Sequence, residues 1–308
     1  SGGTFMSATV SIGNNGSGTC ALIVDGGNLT VNSTNTIVLN NTATANSVLT
    51  IKSGTVTAKG VQLKCGNSYG STFNLDGGIF AMGSAGVSIA AGGGTTTPQP
   101  RIFNFNGGTL KPTSDYNVNF TVDTANVRNG GAIIDTNTYT FYISKLTHSN
   151  IAGDNAKDGG LTKNNTGSLR LSGANTYTGD TTVNGGTLVL ETTGELLFAI
   201  QNSNTSNQVK GTATADLRGL FRLDVSALTD AAGTWNLVNV GTLTETFGSA
   251  FNLAFVGGPT FTNQGGGVYT SGNWTFTTSD GNLTLIPEPA TMALLALGGV
   301  GVLIRRRR

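Results

Sequence analysis

The chain has 308 residues, of which 46 are glycine and only 11% are charged, against about a quarter in an ordinary globular domain. Its net charge is +1, and four of its basic residues are a closing run of arginines, so residues 1–286 carry −2. Without a basic patch or interleaved basic and aromatic residues, nucleic-acid binding is excluded. With 37% hydrophobic residues and almost no net charge, so is wholesale disorder.

The chain opens SGGTFMSATV, already polar and strand-like in the manner of the later repeats, with no Met-initiated leader. This points to an N-terminally trimmed chain. A motif then recurs: LIVDGGNLTV at 22–31, FNLDGGIFAM at 73–82, FNFNGGTLKP at 103–112, and a shorter copy, VNGGTLVL, at 183–190. RNGGAIID at 128–135 fits loosely. Asp or Asn before glycine accepts the positive φ of a tight turn, and alternating apolar residues on either side give strands with one buried face. The predicted turns are therefore Asp25-Gly26-Gly27, Asp76-Gly77-Gly78, Asn106-Gly107-Gly108 and Asn184-Gly185-Gly186.

Such turns also occur in the hairpins of an antiparallel sandwich. The uneven motif spacing argues against a propeller. The shortage of large apolar residues favours a narrow core, as in a β-solenoid whose thin coils bury their faces on one another. Coils of roughly 20–25 residues at ~4.8 Å each give on the order of 8–10 layers and a rod of about 40–50 Å. The expected division is a solenoid over 1–212, a C-terminal β module over 213–286 with longer alternating strands and both tryptophans, and a distinct tail over 287–308. The module caps the open edge of the rod, and 191–217 reads as a connection or a coil with a long loop.

Chemistry-bearing residues are sparse. Cys20 and Cys65 are the only cysteines; they either form one disulfide in an oxidising compartment or stay as two small buried thiols. Asp25 and Asp76, with Asn106 and Asn184, occupy equivalent motif positions and would stack on one edge. There they serve as turn formers or, less simply, as oxygen ligands for Ca²⁺; no other cofactor or metal site is expected. His148 has no motif partner, and AGDNAKDGG at 152–160 lacks a calcium-loop pattern. The glycine-rich stretches 90–98 and 263–273 lack the Gly-Lys-Ser/Thr ending of a phosphate loop. Tyr69, Tyr116, Tyr139, Tyr142 and Tyr177 would make a sugar-stacking platform only if they shared a face.

The tail is Pro287-Glu288-Pro289, an apolar run over 290–304, then Arg305, Arg306, Arg307 and Arg308. As a helix the run is about 22 Å long, short of the ~20 residues a bilayer core needs, and its glycines weaken it. The arginines hold its end on the cytoplasmic side, and the prolines keep the stretch before it extended. The tail is therefore a marginal permanent anchor or a removable signal.

Two stretches resemble known families. TGSLRLSGANTYTGDTTVNGGTLVL at 166–190 resembles the autotransporter-associated β-strand repeat, also called the passenger-associated transport repeat. The likeness rests on Leu169, Leu171, the segment SGANTYTGDTTV, the Gly185-Gly186 turn and Leu188, with Asp180 where a second glycine is frequent. That resemblance implies an all-β, right-handed parallel β-helix in an exported surface protein. The three-part tail resembles the PEP-CTERM protein-sorting signal. This implies transient inner-membrane insertion through 290–304 in a Gram-negative-type bacterium, cutting by an exosortase, and delivery to the cell surface or extracellular matrix. A self-transporting barrel is not expected, because the chain ends in the arginine cluster. The reading is a non-catalytic structural or adhesive solenoid whose polar faces meet exopolysaccharide or other surface glycans. The alternatives are a polysaccharide-degrading β-helix enzyme, which needs two carboxylates facing across a bond, and a carbohydrate-binding module.

Overall fold

A computed structural model describes residues 3–13, 18–42, 45–66, 68–91, 99–114, 120–241 and 246–287. These residues form strands and turns without any helix. The chain winds as a three-walled β-solenoid of about eight turns. The first wall carries 19–24, 46–51, Ser71–Leu75, Arg101–Phe105, Thr124–Val127 and Thr147–His148, stacked in parallel register. It resumes with Ala174–Asn175, Glu195–Ala199, Leu220–Asp224 and Asn252–Phe255. The second wall runs from Thr4–Ser7 through Ile79–Ala81, Thr109–Pro112, Ala132–Asp135, Leu161–Asn164 and Thr181–Val183 to Val238–Asn239. The third includes Thr36–Leu39, Thr140–Ile143, Ser168–Leu171, Thr187–Leu190 and Thr214–Leu217.

Alternation decides which side chains fill the interior. In Ser71–Leu75, Phe73 and Leu75 are fully buried while Asn74 faces outward. Inward residues pack on those of the next coil and on those of the facing walls, and the aromatic rings gather into clusters. Phe73 contacts Phe103 at a centroid distance of 4.6 Å, and Phe103 contacts Phe120 at 5.2 Å. Further along, Phe198, Phe221 and Phe251 repeat the arrangement at 4.5 and 4.9 Å. Burying each such ring contributes about 2–3 kcal/mol, which is how a thin core compensates for few large residues.

The Asp25, Asp76 and Asn106 turns all join the first wall to the second. Gly54, at the same corner, shows why glycine is needed there. Its φ is +80°, and a Cβ would come within 2.0 Å of the Gly27 carbonyl oxygen. Coils separated by one strand spacing leave no room at a folded corner for a side chain pointing along the axis.

Parallel stacking continues past residue 212. Leu217, Phe221, Leu223 and Leu253 point inward in register with the coils before them, so 214–217, 220–224 and 252–255 belong to the rod. The antiparallel part of the expected module is Gly233–Asn236 together with Thr262–Gly265, Val268–Ser271, Trp274–Thr277 and Asn282–Leu285. This sheet lays Trp235, Phe276 and Leu283, all fully buried, over the last coil. Its edge strand Thr262–Gly265 is wholly exposed, polar and bulged, features that discourage pairing with another chain. The stretch 191–217 is a coil whose first two walls are separated by a long loop.

Candidate functional site

The predicted turn residues do not form one column. Asp25 accepts a hydrogen bond from the Ser53 hydroxyl at 3.0 Å, and the Asn106 amide donates to Asp76 at 3.3 Å. Asn184, however, lies between the second and third walls, where its amide donates to Asn164 at 2.9 Å. The shared Asn-Gly-Gly pattern marks a corner without saying which corner. Asp123 pairs with Arg101, and Asp135 with Lys111 and Asn165, on different walls. Cys20 and Cys65 are free thiols. The first is on a first-wall strand beside Ser47 and the second ends a third-wall strand beside Ala91, so the coil path holds them on different walls.

Among the described residues the tyrosines make no common platform. Tyr177 is buried and its hydroxyl meets Thr181 at 2.5 Å, while Tyr142 is exposed beneath the Arg170 guanidinium. Burial raises the Tyr177 phenol above its usual range. Tyr116, like Glu288, Pro289, the apolar run 290–304 and Arg305–Arg308, lies outside the described residues. Pro287 is described, and it follows Ile286, whose amide donates to Asn273 at 3.1 Å. The tail thus departs directly from the last strand of the cap.

Three groups that sequence reasoning left unassigned are tightly built. The segment 152–160, with His148, packs onto the coils above and below it. Asp158 accepts from the amides of Gly160, Thr178 and Gly179 at 2.8–2.9 Å, and the His148 ring nitrogen Nδ1 sits 2.8 Å from it. Nearby, Asp154 is gripped by Arg128 and the Ser149 hydroxyl. That grip holds its carboxyl below the usual range against the opposing effect of burial.

Lys163 points into the core, where its ammonium donates to the carbonyls of Asn164, Asn165 and Gly185 at 3.0, 2.5 and 2.9 Å. Burial pushes its pKa down to about 8. Asn175 ties three coils together, accepting from the Leu146 amide and donating to the carbonyls of Gly173 and Glu195. Asn175 and Tyr177 were visible only as letters within the repeat-like segment; Lys163 and Asp158 had no sequence signal, because the partners that complete their sites, Gly185 for Lys163 and Thr178 and Gly179 for Asp158, are 20 or more residues away.

Near the cap, a groove of about 400 Å³ lies on the outer face of the first wall. Its lining comes from successive coils and includes Thr176, Glu195, Leu197, Arg222, Asp224 and Val256. Arg222 reaches Glu195 with Nε and Nη2, each at 3.0 Å, and that bond raises the guanidinium above its ordinary pKa. Asp224 accepts from the Ser226 amide at 2.9 Å.

No curated protein and no solved structure matches the chain. Two family models do. The passenger-associated-transport-repeat model covers residues 161–190, five successive wall strands from Leu161–Asn164 to Thr187–Leu190, and includes Lys163, Asn175 and Tyr177. The PEP-CTERM protein-sorting motif covers 285–308 and begins on the last residue of the cap's final strand. The chain is an exported, surface-associated β-solenoid protein that carries a passenger-associated transport repeat and a PEP-CTERM sorting motif.

Proposed function

We propose that the protein is a non-catalytic structural or adhesive rod of the bacterial surface or extracellular matrix, released from the inner membrane by an exosortase acting near Pro287-Glu288-Pro289. The observation that carries this reading is where the carboxylates go. Asp123, Asp135, Asp154, Glu191 and Glu195 each pair with a basic residue, in most cases on a neighbouring coil, so they fasten layers together. A glycosidase needs two carboxylates free to face one bond.

The outer faces support contact with glycans. On the second wall one outward column runs Thr55, Ile79, Thr109, Ile133, Thr162 and Thr182 through parallel register. Its hydroxyls recur every one or two strand steps with isoleucines between, which offers donors, acceptors and apolar surface along the rod.

The test is to express the full chain in a host with and without exosortase. Release of a body lacking the tail, retained by the producing cell's matrix polysaccharide without new reducing ends, is the expected result. Generation of reducing ends would replace the structural reading with the enzymatic one. Release without retention would remove the adhesive part.

A further inference from the structure

The groove beside the cap is not a generic stretch of solenoid wall, and we propose that it binds an uncharged, extended polysaccharide strand lying parallel to the rod axis. This rests on the surface-glycan reading above and adds the site and the ligand class.

Direction comes from register. Ala174 aligns with Glu195, Leu197 with Arg222, and Arg222 with Ala254. The groove floor therefore climbs one coil at a time, and the turn carrying the exposed Val256 closes its end. Four layers span about 14 Å at ~4.8 Å per step, a length suited to a few sugar rings end to end.

The ligand class comes from the lining. Leu197 and Val256 give apolar contact for the C–H faces of sugar rings, while Thr176, Arg222 and Asp224 mix donors with acceptors. The Arg222 fork is held by Glu195 through Nε and Nη2, which fixes its plane before any ligand arrives. The charges decide against a polyanion. Arg222 is already paired, and Asp224 adds a carboxylate that pairs with no basic side chain among the described residues, so the groove is net negative. A uronic-acid polymer would meet like charge, whereas an uncharged hexose chain would not.

The experiment uses calorimetric titration of the full chain with cellohexaose and with a polygalacturonate hexamer. It compares wild type with Arg222→Ala and Asp224→Ala, and with Lys52→Ala, an exposed side chain in an early coil far from the groove. Folding of each is checked by its thermal transition. Binding of cellohexaose, weakened tenfold or more by Arg222→Ala or Asp224→Ala and unchanged by Lys52→Ala, is the expected pattern. Unaltered binding in both groove variants would overturn the site while leaving the glycan reading in place. Preference for polygalacturonate would overturn the ligand class. If wild type ignores both oligomers yet is still retained by the matrix, the groove proposal fails and the adhesive rod stands.

Discussion

Asn104 donates from Nδ2 to Oδ1 of Asn74, one coil away, at 2.7 Å. The same geometry repeats: Asn126 donates to Asn104 at 2.8 Å, and Asn74 to the Thr50 hydroxyl at 3.2 Å. Identical spacing lets one amide satisfy the next, so an outward column on the first wall becomes a ladder of the kind seen in stacked parallel sheets. Asn104 is the most enclosed amide of this ladder at 5% exposure. Asn104→Ala would strand the amide of Asn126 and the oxygen of Asn74. A loss of about 1–3 kcal/mol is expected, read from the urea midpoint. A shift below a few tenths of a kcal/mol would mean the ladder is ornamental.

Gly185 and Gly186 look interchangeable in the sequence. Gly186 has a φ of +61° and a Cβ there would meet the Gly167 carbonyl oxygen at 2.2 Å, whereas a Cβ on Gly185 would stand 3.1 Å from the Asn165 carbonyl oxygen, on a backbone without positive φ. Gly186→Ala should cost about 1–3 kcal/mol from conformation alone, before the overlap is relieved. Gly185→Ala should cost clearly less. Equal thermal shifts in the two variants would contradict the geometry.

Lys163 gives the rod a pH dependence whose sign follows from its burial. Its folded pKa is about 8, against an ordinary 10.5, so between these values the unfolded chain binds more protons than the folded one. Stability contributed by this group therefore rises with pH from about 8 towards 10.5, by at most about 3 kcal/mol. Lys163→Met should abolish that rise. Denaturant titrations at pH 7.5 and 10 compare the two, and a rise that persists in the variant would assign it elsewhere.

Arg128 and Asp154 supply the opposite limb. The paired guanidinium keeps Asp154 below the usual carboxylate range, and Asp154 is only 4% exposed. Stability from this pair is present above the ordinary carboxylate pKa and is lost as pH falls through the lowered one. Arg128→Ala should destabilise at pH 7 by about 2–3 kcal/mol, with the deficit shrinking as the pH drops towards 2. A deficit independent of pH would point to lost packing instead of lost charge.

Much of this architecture is legible along the chain. Alternation in FNL and FNF marks Phe73, Leu75, Phe103 and Phe105 as inward, and the Asp/Asn-Gly-Gly turns mark corners. Both are local properties, set by two-residue periodicity and by the φ that glycine accepts. The same holds for the tail, whose triplet, apolar run and arginines identify the sorting motif by composition and order. Residues 166–190 were recognisable as a repeat for the same reason, and the family match extends this to 161–190.

Tertiary structure alone decided the rest. That Asn184 turns a different corner from Asn106, that Gly186 and not Gly185 is indispensable, and that the coils run on through Phe255 all depend on register with neighbours a full turn away. The His148–Asp158 contact, the Lys163 carbonyl cage and the Arg222–Glu195 groove each join segments from different coils or an inserted loop. In a solenoid the sequence specifies each layer from within, but chemistry on its surface arises between layers, and no local pattern records which side chain will stand above which.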